Sequence, residues 1–66
     1  MNTQTIHTSE RNGYRIVVGE YQYKGQQKFG ARITNLTTGS SEQTQGWSSY
    51  RTVLEMAQQA ADEAKI

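Results

Sequence analysis

The chain has no cysteine, no proline and a single histidine, His7, and no apolar run approaches the length of a membrane span. Without cysteine there is no disulfide framework, no thiol nucleophile and no zinc site of the structural kind. One histidine in a polar N-terminal strand does not provide a Ser-His pair held on rigid elements. The same absences remove two of the supports, disulfides and metals, that chains this short often need. A domain of 66 residues buries only about 60% of the surface its unfolded chain exposes. One sheet with one helix is therefore the realistic ceiling, and self-association stays open as a source of support.

The carboxylates and glycine turns add no chemistry. Glu55 and Asp62 fall two turns apart on the wet side of a helix, where solvent keeps carboxylates at ordinary acidity. Gly25-Gln26-Gln27 and Gly39-Ser40-Ser41 lack the Lys-Ser/Thr ending of a phosphate loop, and Asn35-Leu36-Thr37 matches a glycosylation acceptor that matters only in a secreted protein. The expectation is a non-enzymatic chain with no cofactor and no metal. The opening MNTQTIHTSE has neither the basic nor the apolar region of a signal peptide, so the expected setting is the cytoplasm, with no membrane partner.

What is present reads as one small α+β domain over residues 1–66, an antiparallel meander of three to four strands packed against one C-terminal helix. Asn12-Gly13 marks a two-residue type I′ hairpin turn, with strands expected over 3–11 and 14–23. In YRIVVGEYQY the residues Tyr14, Ile16 and Val18 share one face, leaving Arg15, Val17, Gly19, Tyr21 and Tyr23 on the other. Strict alternation places Glu20 inside; a bulge at Gly19 would instead turn Tyr21 and Tyr23 to the core. Both registers are compatible with the pattern. Lys24-Gly25-Gln26-Gln27 gives the next turn, a third strand spans 28–35 with Phe29, Ala31 and Ile33 alternating, and a fourth is expected over 41–47. Ser48 or Ser49 caps a helix over about 49–64, whose apolar stripe is Tyr50, Val53, Leu54, Ala57, Ala60, Ala61 and Ala64. Asp62 and Glu63 oppose the dipole at its C-terminal end, so fraying is expected there. Trp47 is expected to anchor the last strand to the start of the helix.

Net charge is +1, but residues 11–32 hold Arg11, Arg15, Lys24, Lys28 and Arg32 against Glu20, whereas residues 50–66 hold Arg51 and Lys65 against Glu55, Asp62 and Glu63. A basic sheet and a mildly acidic helix make the layout of a weak anion binder. With a pI near 8.1, the chain falls short of a committed nucleic-acid binder. The candidate surface is the sheet face away from the helix, where an unbulged strand would gather Arg15, Tyr21, Tyr23, Lys28, Arg32 and Thr34. Tyrosine interleaved with arginine can stack bases and pair phosphates, and the same residue types make protein hot spots. An unpaired strand edge is the second candidate, for a partner strand or a second copy.

The order Lys28-Phe29-Gly30-Ala31-Arg32-Ile33-Thr34-Asn35, a polar turn, Gly46-Trp47, then Tyr50-Arg51-Thr52 leading an Ala/Glu helix resembles the ethylene-response-factor type of DNA-binding domain and the arm-binding domains of phage integrases, over roughly residues 21–64. That resemblance implies a three-stranded sheet on one helix that lays its strands into the major groove, with Arg15, Lys28 and Arg32 in the place of the DNA-contacting side chains. Where that family's first strand is dense in arginine, this chain has Tyr21-Gln22-Tyr23-Lys24-Gly25-Gln26-Gln27, which leaves few groups to neutralise phosphates. In size and layout the chain is also similar to small phage and mobile-element accessory proteins that block a larger partner. The functional expectation is an interaction module working by protein contact or homodimerisation through the open face or an edge, with nucleic-acid binding through the same face as the alternative.

Overall fold

A computed structural model describes residues 3–66 of the chain. Four strands, β1 (Gln4–Arg11), β2 (Tyr14–Tyr23), β3 (Gln26–Asn35) and β4 (Ser41–Trp47), form one antiparallel sheet in the order β1-β2-β3-β4, followed by α1 (Tyr50–Asp62). This is the α+β meander and C-terminal helix that the turn signals and periodicity imply. The third strand starts two residues earlier than expected because the second turn is only Lys24-Gly25. Positive φ at Lys24 (51°) and Gly25 (76°), as at Asn12 (54°) and Gly13 (82°), makes both hairpins two-residue turns of the type that matches strand twist. The connection to β4 is longer. Its Asn35 side chain accepts from the amides of Thr37 and Thr38 at 2.9 and 3.1 Å, fixing the turn that brings Ser41 back beside Thr34.

The core sits between the central hairpin and the helix. Tyr14, Ile16 and Val18 from β2, Phe29, Ala31 and Ile33 from β3, and Val53, Ala57 and Ala61 from α1 are buried. Three of these nine are alanine, so the helix backbone can lie close to the sheet. Burying Ile16, Val18 and Val53 completely contributes roughly 1.5–3 kcal/mol each. Trp47 anchors the junction as expected: it pairs with Phe29, packs half-buried on the core, and donates from Nε1 to Thr44 Oγ1 at 2.8 Å. Tyr50 extends this corner, meeting Phe29 edge-on at 6.1 Å and His7 at 6.4 Å between ring centroids. Of the expected apolar stripe, Tyr50, Leu54 and Ala60 are packed against the core without full burial, and Ala64 is exposed.

The helix begins after Ser49, whose hydroxyl accepts from the Thr52 amide at 3.3 Å. It ends at Asp62, two residues before the expected limit, and its end is held rather than left to fray. The amide of Ala64 donates to Ala61 O and that of Lys65 to Ala60 O, with Ala64 at φ 53°, the Schellman pattern that reverses a chain out of a helix. The first hairpin then clamps this end. Arg11 donates to both carboxylate oxygens of Asp62 at 2.7 and 2.9 Å, Asn12 Nδ2 donates to Ala61 O at 2.9 Å, and Tyr14 and Asn35 both donate to the Ile66 carbonyl, at 2.7 and 3.1 Å. The unfavourable anion at the helix C-terminus is thus offset by a cation from a neighbouring turn.

Candidate functional site

The register of β2 decides which side chains the sheet displays. β2 pairs with β3 without interruption from Tyr14↔Asn35 to Tyr23↔Gln26, so Gly19 carries no bulge in that ladder and alternation is strict. Tyr21 and Tyr23 therefore stand on the face away from the helix. Glu20, which alternation assigns to the helix side, stands opposite Phe29 but is only partly buried, and its carboxylate accepts from Gln27 Nε2. The irregularities sit in the outer strands instead. β1 shifts register between Thr5 and His7, at Ile6, and β4 gains a residue opposite the Phe29–Ala31 step, at Gln45-Gly46.

Two glycines explain why both edges bend at the same level. Gly19 and Gly30 face each other across β2 and β3. A Cβ on Gly19 would lie 2.6 Å from the Thr3 methyl, and one on Gly30 would lie 2.7 Å from Thr44 O. Both outer strands lean over the open face through the space these side chains would occupy. The result is a trough of about 350 Å³ crossing the face, lined among others by Thr5, Val17, Tyr21, Arg32, Gln43 and Gln45.

All six sequence-predicted residues lie on this face. Arg15 pairs with Thr34 and Tyr21 with Lys28, Arg32 is opposite Val17, and Tyr23 is opposite Gln26. They do not form one cluster: Arg15 and Tyr23 are separated by roughly 27 Å of extended strand. Tyr21, Tyr23 and Lys28 occupy the projecting end of the β2–β3 hairpin, Arg15, Arg32 and Thr34 the other end, with the glycine trough between them. Lys24 Nζ, on the turn, sits 5.4 Å from the centre of the Tyr23 ring. Arg32 donates to Gln43 Oε1 at 2.9 Å, and Arg15 approaches Glu10 at 3.7 Å with both groups well exposed, a contact worth little. Lys28 has no ion pair among the described residues.

Gln43, Gln45 and the Gly19–Gly30 pair were not among the expected site residues. The pair was detectable: with a two-residue turn at Lys24-Gly25, residues equidistant from it face each other, and Gly19 and Gly30 are such a couple. The β4 glutamines depend on a bulge whose signal in the sequence is Gly46, a glycine within the strand, at φ 90°.

The charges divide by side. The open face and its turn carry Arg15, Lys24, Lys28 and Arg32 against Glu10, while the helix side carries Arg11, Arg51 and Lys65 against Glu20, Glu42, Glu55, Asp62 and Glu63. A chain of net charge +1 thus has a cationic face and an anionic back. On the back, the hydrogen bonds and charge of Arg11 hold the Asp62 carboxyl below its usual range, and hydrogen bonds from Gln59 and Lys65 do the same for Glu63. His7, through Nε2, is hydrogen-bonded to Ser9 Oγ at 2.9 Å and packs on Tyr50, so its ring is occupied structurally.

In comparison with known proteins, no family model, no curated protein and no solved structure matches this chain. The DNA-binding layout that residues 28–35 and 46–52 resemble therefore finds no family match. No helix among the described residues is long and apolar enough to cross a membrane.

Proposed function

We propose that this chain is a non-enzymatic interaction module that works by contact, through the open face of its sheet, with a partner presenting negative charge. The observation that carries this reading is the division of charge, four cations against one carboxylate on the open face and three cations against five on the helix side. Complementary charge of this kind steers encounter and fixes orientation. On β2 and β3 the face carries Val17 as its single aliphatic side chain, so its contacts are polar and aromatic rather than those of an obligate hydrophobic dimer.

Face-to-face pairing of two copies would oppose like charges, which argues against an isologous homodimer through this surface. Addition of a strand at either edge is opposed by the bulges at Ile6 and Gln45-Gly46, which interrupt the regular row of unpaired backbone groups. The open face is the better of the two expected surfaces.

The test compares two double charge reversals of equal total change. Arg15→Glu with Arg32→Glu should abolish retention on immobilised heparin and on polyglutamate, whereas Arg51→Glu with Lys65→Glu should leave most of it. Equal losses from both pairs would mean that net charge alone is read, and the proposal would fail.

A further inference from the structure

We infer that the partner, on the reading just given, is a single-stranded nucleic acid lying along the β2–β3 hairpin, with bases stacked on Tyr21 and Tyr23. These rings are two residues apart on one face of one strand, a spacing of roughly 6.8 Å, which allows successive unstacked bases to lie on successive rings. Neither ring packs on another aromatic among the described residues, and Tyr23 is 48% exposed. Lys24 Nζ covers one face of the Tyr23 ring and Tyr21 is half-buried, so a base would stack on the ring surface left uncovered.

Cations accompany the rings at the positions a backbone would need. Lys28 is directly across from Tyr21, Lys24 leans over Tyr23, and Arg32 lines the trough. The trough next to Tyr21 supplies room for a further base without a stacking ring. Its lining includes Thr5, Gln43, Gln45 and Arg32, residues whose side chains carry groups able to bond base edges. An acidic polypeptide would satisfy the cations but has no use for two aromatic faces at this spacing. A duplex would hide its base faces and must be held by many neutralised phosphates, more than four cations provide. Single-strand binding combines cations that track the backbone with aromatic rings on which successive bases stack.

The experiment is fluorescence anisotropy with a short labelled oligothymidylate, its uridylate counterpart, a duplex of equal length and labelled polyglutamate, all at low salt and then over a salt series. Single strands should bind best, and log affinity should fall with log salt with a slope of about −2 to −3 for three or four contacts. Replacing either tyrosine by alanine should cost roughly tenfold or more, and replacement by phenylalanine should cost little. Tyr23→Ala, on the exposed hairpin end, keeps the test valid should Tyr21→Ala fail to fold. Undiminished affinity in Tyr23→Ala, or a duplex bound as tightly as a single strand, overturns the inference. Polyglutamate bound through Arg15 and Arg32 with no oligonucleotide bound also overturns it, while leaving the anion-binding face intact.

Discussion

Gly30 shows how a single missing methyl shapes this protein. The space its Cβ would fill is occupied by Thr44 O, a backbone atom of a paired strand, whereas the space beside Gly19 is occupied by the methyl of Thr3, at the start of the described chain. Thr3 can move aside and Thr44 cannot without breaking its pairing with Ala31. Gly30→Ala should therefore destabilise by about 1–3 kcal/mol and Gly19→Ala by less than about 1 kcal/mol; urea denaturation of the two variants checks the order. Ala64 presents the opposite case. It adopts φ 53° at the position where glycine ends a helix without strain, so Ala64→Gly should stabilise by about 0.5–1 kcal/mol. A thermal melt should rise by roughly 2–8 °C. The sequence hid this position, since an alanine at helical spacing reads as one more stripe residue until the chain reversal is seen.

Among elements, the helix and the central hairpin were legible because their signals are local. Asn12-Gly13, the alternation in Tyr14–Val18 and Phe29–Ile33, and the steps of three and four from Tyr50 to Ala61 each follow from backbone or packing requirements within a few residues. What escaped depended on distant partners. Of the two registers open for β2, the one with a bulge at Gly19 is not adopted and the irregularity lies across the ladder, at Ile6; the Asp62 charge, unfavourable along the helix, is matched by Arg11 from the first hairpin. This clamp predicts a pH dependence. Because Arg11 lowers the Asp62 pKa in the folded state, its contribution is fully present above the unfolded value near 3.8 and is lost as pH falls through the lower native value. Glu63 acts in the same direction. Acid titration of stability should fall more steeply below about pH 4 in the parent than in Asp62→Asn, and an identical acid limb in both would show that the clamp contributes nothing. Ser49→Ala, removing the cap at the other end, should cost about 1 kcal/mol at any pH.

For the whole molecule, one layer of apolar contacts serves two purposes. The helix covers one side of the sheet and supplies its core, and the sheet is thereby free to display polar, cationic and aromatic groups on the other. The six candidate residues were legible as a group once β2 was taken to run unbulged, but the trough that divides them was not, because it arises from two edges closing over a glycine pair. The interaction proposed here is with the open face and not the helix. Backbone amide NMR shifts, followed while an anionic ligand such as an oligothymidylate or polyglutamate is added, test it most directly. Perturbation is expected at Arg15, Val17, Tyr21, Tyr23, Lys28 and Arg32 with the amides of Arg51–Asp62 unmoved; shifts centred on the helix, or spread evenly over both sides, would overturn the proposal.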